Sequence, residues 1–184
     1  MFDKIWKKQI YILLLVIIGI VVFIKVLDFG FVWDDNQLYL NKGNYPEDGR
    51  LQNISKLWQP GKMPMYAPVT YTMWGIIAQL SSTDDSNDFK LNPKLFHFVN
   101  LLFHILNSVL ILLIISRLLK DNLAAFIAGL IFLLHPIQVE SVAWISEFRG
   151  LLAGFFGFLA VYIHLTTITG AEFVAAHKTT KKNN

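Results

Sequence analysis

Residues 9–24, QIYILLLVIIGIVVFI, form an uncharged apolar run, and residues 31–35, FVWDD, follow it with two adjacent carboxylates. A transmembrane helix needs about 20 apolar residues in succession, which the run provides once it is extended to residue 27. A signal peptide also places basic before apolar residues, but its apolar part is shorter and a small-residue cleavage site follows it. The sequence therefore predicts a retained transmembrane helix. It places Asp34 and Asp35 at the membrane surface, where ionisable groups are commonly functional.

The composition of the chain is that of an integral membrane protein. Of its 184 residues, 54% are hydrophobic and 16% are charged, and the mean hydropathy is +0.48. Soluble domains contain about 25% charged residues. The net charge of +3 arises at the ends of apolar runs, which indicates membrane topology rather than a nucleic-acid-binding surface. Because the chain has no cysteine, disulfides, a thiolate nucleophile and a cysteine-ligated zinc site are excluded.

Hydrophobic patterning predicts an all-α membrane protein with about four transmembrane helices and with interfacial helices in two outer segments. We expect membrane lipid to be a partner and nucleic acid not to be one. In chain order the predicted segments are a cytoplasmic N-terminus (1–8), transmembrane helix 1 (9–27), an outer loop with the acidic pair (28–94), transmembrane helix 2 (95–115), transmembrane helix 3 (123–135), an outer interfacial segment (136–149), transmembrane helix 4 (150–169) and a polar tail (170–184).

The outer loop contains two patterns that are typical of helices. Apolar residues recur at helical spacing across residues 51–58, which predicts a short helix lying in the membrane interface. Pro68 opens a second apolar helix over residues 69–80, which is too short to span a bilayer and is expected to lie on or dip into it. A second acidic pair, Asp84 and Asp85, lies among Ser, Thr and Asn residues and is interpreted as a solvated loop.

The second predicted span carries one stripe of polar residues, about 100° wide at about 100° per residue: His97, Asn100, His104, Asn107 and Ser108. Such a stripe must face other helices or a wet cavity rather than lipid. For Asn107 and Ser108 we expect hydrogen bonds between helices. His97 and His104 are candidates for lining a site. For His97, the residue nearest the outer loop, the packing and the site-lining interpretations both stay open.

Small residues predict close packing in the last two spans. The third span contains Ala125-x-x-x-Gly129, a spacing that lets two helix backbones approach each other. In the fourth span, Gly150, Gly154 and Gly157 lie along one side of the helix. We expect both sets to be helix-crossing points.

The distribution of basic residues predicts the topology. With four spans, one side of the membrane receives three basic groups of residues, as the positive-inside rule requires: Lys4, Lys7 and Lys8, then Arg117 and Lys120, then Lys178, Lys181 and Lys182. The acidic pair and residues 135–149 then meet on the outer side, where they could share a site.

Four motifs follow one another across residues 31–152. The first three are the FVWDD stretch, Tyr66-x-Pro68-Val69 with Trp74, and Phe96-His97-x-x-Asn100-x-x-x-His104. The fourth is His135-Pro136-x-x-x-Glu140-x-Val142-x-Trp144-Ile145-x-x-x-Arg149-x-Leu151-Leu152. In this order they resemble the GT-C membrane glycosyltransferases. They are most similar to the protein O-mannosyltransferases that carry tetratricopeptide repeats, and to the bacterial relatives of those enzymes.

The resemblance implies a polyprenyl-phosphate-linked sugar donor, possibly of mannose, and a protein or glycan acceptor on the outer or lumenal face. It implies that Asp34 or Asp35 is the general base that takes a proton from an acceptor hydroxyl, a role suited to a positioned carboxylate. No cofactor is certain; a divalent cation is possible, held by the acidic pair and Glu140 through oxygen ligands. Candidates for binding the donor and its phosphate are His135, Glu140, Arg149 and His97.

The same motif contains a geometric difficulty. On a continuous helix from residue 137, Glu140 and Arg149 lie about 180° apart and cannot face one ligand. They can do so only if the helix breaks near Gly150, or if Arg149 points back from the start of the next span. Without the motif, both charges would be interpreted as snorkelling side chains at the membrane interface.

The chain departs from the family that it resembles, whose members have more than four spans and carry repeats after the membrane core. It contains no repeat of the tetratricopeptide period. A truncated product, a fragment or a subunit that needs a partner would explain this. The alternative function is a non-catalytic membrane protein, either an assembly partner or a degenerate paralogue. We expect the bacterial inner membrane with the acidic pair facing outward, or alternatively the endoplasmic reticulum membrane.

Overall fold

The computed structural model describes residues 2–35, 58–61, 65–83 and 90–182. The regular secondary structure of these residues is helical apart from one pair of two-residue antiparallel strands, which confirms the predicted all-α class. The elements in chain order are α1 (Phe2–Phe23) with a 3-10 extension (Ile24–Asp28), α2 (Pro68–Ser81), β1 (Ser82–Thr83), β2 (Lys90–Leu91), α3 (Pro93–Leu119), α4 (Asn122–Leu134), α5 (Gln138–Ala143), a 3-10 segment (Ile145–Glu147) and α6 (Phe148–Lys182).

Among the described residues, three helical stretches are long and apolar enough to cross a membrane. They are Trp6–Asp28, Pro93–Leu119 and Ile145–Ile168, and they correspond to the first, second and fourth predicted spans. The chain is therefore an integral membrane protein of the all-α class. The predicted division of the chain into segments stays a prediction, because the side of the membrane on which each segment lies is not fixed by the helices themselves.

The third predicted span, residues 123–135, corresponds to α4, which has 13 residues. At 1.5 Å per residue α4 is about 20 Å long, shorter than the hydrocarbon core of about 30 Å. The chain then turns at His135 and Pro136 and resumes as the short helix α5. The third element is thus a broken helix rather than a continuous span.

α3 is the central element and packs against α1, α4 and α6. Its start is fixed by Asn92, whose side chain accepts a hydrogen bond from the Lys94 backbone N–H (3.0 Å), with Pro93 at the first helical position. It ends at Lys120, which adopts the left-handed conformation (φ 55°). Asp121 then caps α4 directly. These local signals make a tight connection between two adjacent antiparallel helices.

The predicted helix crossing at Ala125 and Gly129 is confirmed. Both residues are buried, and a Cβ atom on Gly129 would lie 3.0 Å from the Ser108 carbonyl oxygen and 3.0 Å from a methyl group of Leu15. In α6 the prediction is confirmed only at Gly154, where a Cβ would lie 3.2 Å from Asn107 Nδ2. It is wrong for Gly157, which has no atom of the described chain within 4 Å of a Cβ position.

Two apolar clusters hold the bundle together. One joins α1, α3 and α4 and includes Leu15, Leu112 and Leu133. The other packs α2 against α3 and the start of α6 through buried aromatic residues such as Trp74 and Phe148. The predicted helix over residues 69–80 is confirmed as α2, and the second cluster anchors it beside the bundle.

The structure brings the acidic pair and residues 136–149 to one end of the bundle, as predicted. Asp35 is hydrogen-bonded to Ser146 at that end, and Tyr11 stacks on Phe126 towards the opposite end. The end that contains Asp35 is called the outer end below. Two predictions lie outside the described residues: the interfacial helix over residues 51–58, of which only residue 58 is described, and the solvated loop at Asp84 and Asp85.

Candidate functional site

Asp35 is fully buried and hydrogen-bonded through both carboxylate oxygens. Its Oδ1 accepts from the backbone N–H of Ser146 (3.0 Å) and from the Ser146 hydroxyl (2.6 Å), and its Oδ2 accepts from the Val32 N–H (3.1 Å). Charge-assisted bonds of this kind are strong where water is excluded. Asp35 therefore joins the segment after α1 to the 3-10 segment before α6.

Asp34, the other member of the pair, is exposed. It follows Trp33, whose backbone lies in the left-handed region (φ 48°). Bulky residues rarely adopt this conformation, and they persist in it only where surrounding contacts enforce it. Here the Val32–Asp35 hydrogen bonds and the Trp33–Trp144 ring contact supply that restraint. The structure thus separates two carboxylates that the sequence left equivalent.

The helix that was predicted to continue from residue 137 to residue 148 is interrupted at Trp144. This residue is extended (φ −104°, ψ 116°) between α5 and the 3-10 segment. The break lies six residues before Gly150, the position at which it was anticipated. The second anticipated solution is present too, because Arg149 lies in the first turn of α6 and its Nε donates back to the Ser146 carbonyl oxygen (3.1 Å).

Arg149 is half-buried and joins three segments of the outer end. Besides Ser146, its guanidinium contacts Met65 Sδ (2.6 Å) and lies 3.9 Å from a carboxylate oxygen of Glu147. Burial raises the pKa of the nearby Tyr71 phenol, and the positive charge of Arg149 partly opposes that shift. The phenol therefore stays protonated at neutral pH. Arg149 thus provides a cation next to the Asp35–Ser146 contact, with the buried Tyr71 phenol nearby.

Glu140 lies in a different place, an open cleft of about 790 Å³. The cleft runs between residues 28–33 and residues 139–144; its lining is mainly apolar, with Asp28 and Glu140 as its charged members. The Trp33 and Trp144 rings meet edge to face in it, with centroids 5.5 Å apart. We call this the tryptophan cleft. Neither Arg149 nor His135 is among the residues that line it, so the tryptophan cleft does not bring the predicted phosphate-binding set together.

His135 and His97 are used differently from each other. His135 is exposed, and its Nδ1 accepts a hydrogen bond from the Ile137 N–H (3.3 Å), which stabilises the turn between α4 and α5. His97 is fully buried, against Phe29 (ring centroids 6.3 Å apart) and within electrostatic reach of Asp35. Neither ring nitrogen of His97 makes a hydrogen bond of good geometry with the described residues. His97 lies behind the tryptophan cleft and does not line it.

Two further residues of the α3 stripe bind the backbone of neighbouring segments. Asn100 Nδ2 donates to the carbonyl oxygens of Ser141 (3.3 Å) and Trp144 (3.0 Å), at the end of α5. His104 Nε2 donates to Leu133 O (3.0 Å) in the last turn of α4. Helix ends leave carbonyl groups unpaired, and a membrane supplies no water to bind them. The stripe therefore supports the broken third element.

The predicted hydrogen bond between helices is confirmed for Asn107, whose Nδ2 donates to Leu151 O in α6 (2.9 Å). For Ser108 the prediction is wrong, because its hydroxyl donates to His104 O one turn earlier in the same helix (3.0 Å). Ser108 lies where Gly129 crosses α3 most closely. At this close crossing, the Ser108 hydroxyl bonds within its own helix instead of across to α4.

The candidate metal ligands do not fit a metal site. No group of three or more His, Asp or Glu side chains among the described residues could hold a metal ion. Of the three ligands implied by the resemblance, Asp35 is bonded to Ser146 and Val32, whereas Asp34 is exposed and Glu140 lines the cleft. We therefore derive no chemical step through a metal.

Sequence reasoning missed two contributors to the outer end. Ser146 holds Asp35 but is an unassigned position within the fourth motif, and nothing in its spacing marks it. Trp33 belongs to the first motif without an assigned role, although its place next to the acidic pair is a signal in the sequence. Trp144 was present in the motif without an assigned role.

Three curated proteins are similar to the chain. The human protein O-mannosyl-transferase TMTC3 and its mouse counterpart are each 29% identical over 150 residues, which cover 78% of this chain. The Drosophila melanogaster protein O-mannosyl-transferase Tmtc1 is 26% identical over 128 residues, or 68% of this chain. The matches cover 15% of each relative, so the chain spans about 15% of the length of the curated relatives it matches.

No family model and no solved structure matches the chain. The three similarities support the predicted relationship to protein O-mannosyltransferases.

Proposed function

We propose that this chain is a membrane module of a glycosyltransferase. It moves a sugar such as mannose from a polyprenyl-phosphate donor to a protein or glycan acceptor on the outer or lumenal face. The observation that carries the proposal is the similarity over 150 residues to proteins named O-mannosyl-transferases. The geometry adds that Asp34 and Glu140, both in the motifs of that resemblance, are exposed at the same end of the bundle.

Asp34 is the better candidate for the general base. An acceptor hydroxyl is a poor nucleophile until a carboxylate takes its proton. In the proposed step the hydroxyl oxygen bonds to the anomeric carbon, its proton passes to Asp34, and the bond from that carbon to the phosphate oxygen breaks. Asp35 is buried and already accepts three hydrogen bonds, so its role is to position the segment that carries Asp34.

Arg149 is the group best suited to the leaving phosphate. Guanidinium matches phosphate in charge and geometry, and Arg149 lies beside Ser146, the partner of Asp35. Its remaining N–H groups form the cationic part of the outer end. His97 and His135 are weaker candidates, because one is buried without access and the other stabilises a turn.

The test measures transfer of mannose from polyprenyl-phosphate mannose to a Ser/Thr-containing peptide in membranes that contain the chain. Asp34→Asn should lower the rate by about a hundredfold or more, the usual contribution of a general base. Asp84→Asn, in the same outer loop, is the matched control and should leave the rate unchanged. Full transfer by Asp34→Asn at equal expression would overturn the assignment of Asp34.

The alternative function is a non-catalytic assembly partner or degenerate paralogue. One observation favours it: three residues of the α3 stripe (Asn100, His104 and Asn107) and Asp35 are used for hydrogen bonds within the protein. On this hypothesis Gly154→Leu disrupts folding or partner capture, whereas changes at Asp34 have no effect. The membrane is either the bacterial cytoplasmic membrane with Asp34 outward or the endoplasmic reticulum.

A further inference from the structure

We propose that the tryptophan cleft binds an uncharged sugar ring and excludes phosphate. The ring packs on the Trp33 and Trp144 indoles, and its hydroxyls donate to Asp28 and Glu140. The inference deepens the proposed function and rests on it for the identity of the sugar. On this proposal Glu140 binds sugar hydroxyls and is no longer a candidate for binding the phosphate.

The aromatic wall is built for contact with a ligand. Trp33 is 71% exposed although its backbone conformation is strained, and Trp144, which is half-buried, meets it edge to face. An exposed indole of this size leaves a large apolar surface in contact with solvent. The negative face of an indole attracts partly positive C–H groups, and one face of a sugar ring presents several of them. The two rings thus provide a platform of the right chemistry.

The carboxylates give the cleft its polar selectivity. Ionised carboxylates only accept hydrogen bonds, and sugar hydroxyls donate them, so each pair forms a charge-assisted bond. The Glu140 carboxylate makes no hydrogen bond or ion pair with the residues that the structure describes, and so it is available to a ligand. Asp28 lies 3.5 Å from Lys94 Nζ, but both side chains are more than half exposed. That exposed ion pair is weak and leaves further acceptor capacity on Asp28.

The charge of the cleft rejects phosphate. Among the described residues that line it, the charged members are both acidic and none is basic. Like charges at such distances repel, and a phosphate needs cationic or N–H donors. The cationic region at Arg149 lies outside the cleft. A donor with a neutral sugar and a charged phosphate would therefore bind two chemically distinct regions of the outer end: its sugar in the tryptophan cleft and its phosphate at Arg149.

The size of the cleft agrees with this class of ligand. Its volume of about 790 Å³ lies within the range of about 300–1,000 Å³ for small-molecule sites. Its mouth is open, as a site that must accept a sugar attached to a larger carrier requires. A quaternary ammonium group would also be attracted to indoles and carboxylates, and the experiment below includes it as a competitor.

The test uses the purified full chain in detergent micelles and saturation-transfer NMR with methyl α-D-mannopyranoside. We expect binding that inorganic phosphate at tenfold excess does not displace. Trp33→Ala and Glu140→Gln should each weaken binding by about tenfold, the usual effect of losing one charge-assisted bond or an equivalent contact. Trp33→Phe retains an aromatic ring and should bind within about threefold of the original chain. Trp58→Ala, an exposed tryptophan outside the cleft, is the matched control and should have no effect.

Three outcomes would overturn the inference: no binding of the sugar, binding that Trp33→Ala and Glu140→Gln leave unchanged, or displacement of the sugar by tetramethylammonium at an equal concentration. The Asp34→Asn variant separates this inference from the proposed function. If Asp34→Asn abolishes transfer while no sugar binds to the cleft, only the inference fails. If sugar binds but no variant of Asp34 alters transfer, only the proposed catalytic role fails.

Discussion

The Asp35 cluster and the tryptophan cleft adjoin the same turn at residues 144–146, yet they use their polar groups in opposite ways. Asp35 has no exposed surface, and its carboxylate accepts bonds from Ser146 and Val32. Glu140 and Asp28 line an open cleft, and both have exposed carboxylates. Of two acidic groups in the motifs, Asp35 is built into the fold, whereas Glu140 is exposed in an open cleft.

The difference follows from the break in the helix at Trp144. The break at Trp144 frees backbone groups, and Asn100 and Asp35 bind them from two sides. The turn at residues 144–146 is therefore held without side-chain hydrogen bonds from Glu140 or Asp34 among the described residues. The engaged carboxylate and amide hold the turn, and the unengaged carboxylates are exposed around it. We therefore expect substitutions at Asp35 to lower stability and substitutions at Glu140 to lower ligand binding.

The largest effect on stability is expected at Asp35. Asp35→Ala leaves the N–H and the hydroxyl of the buried Ser146 without their acceptor, and it also removes the acceptor of the partly buried Val32 N–H. Leaving buried donors unpaired costs about 1–3 kcal/mol for each group, and we expect the free energy of unfolding to fall by about 3 kcal/mol in total. Unfolding by SDS in mixed micelles, followed by tryptophan fluorescence, measures it.

The adjacent Asp34→Ala is the control for that measurement. Its side chain is exposed, and exposed substitutions usually change stability by less than about 0.5 kcal/mol. Equal losses for the two variants would contradict the separation of roles, because they would mean that Asp34 also supports the fold.

The class of fold could be predicted from the sequence because it depends on long local patterns. The apolar runs gave three membrane-spanning helices, and the proline-led run gave α2 within one residue at each end. Asn92-Pro93 and Asp121 are local capping signals that also fix helix boundaries. Each of these features is decided by residues that are close neighbours in the chain.

The candidate site was predictable only in part, because its decisive contacts join distant residues. The Asp35–Ser146 bond spans 111 residues, and no periodicity encodes it. Helical spacing continues through Trp144, so the sequence indicated a break near Gly150, six residues later than the break in the structure. The motif grouped Glu140 with Arg149 for phosphate, whereas the structure puts Glu140 in an acidic cleft that Arg149 does not line. Motif membership identified the region but not which side chains face each other.

A second, smaller effect is expected at the crossing of α3 and α4. In Gly129→Ala the new methyl group would lie 3.0 Å from the Ser108 carbonyl oxygen, a backbone atom that cannot move aside alone. Overpacking of this kind costs about 1–3 kcal/mol, and we expect a loss of about 2 kcal/mol in the same unfolding assay.

Gly157→Ala, at a position where the described chain leaves open space, is the control. Its stability should stay equal or rise, because alanine favours helix over glycine. A loss at Gly157 as large as that at Gly129 would contradict the assignment of the crossing.

The smallest effect is expected at Asn100, which supports the same turn from α3. Asn100→Leu removes the donor to Ser141 O and Trp144 O, and hydrogen bonds between membrane helices contribute about 0.6 kcal/mol each, rarely more than about 1.7. We therefore expect a loss of about 1 kcal/mol. Phe98→Leu, at a half-exposed position on the same helix, should change stability by less than about 0.5 kcal/mol. Because Asn100 holds the end of α5, which leads to Trp144, the loss should be accompanied by weaker sugar binding in the tryptophan cleft. A loss of stability without any change in binding would show that the Asp35 cluster alone fixes the turn.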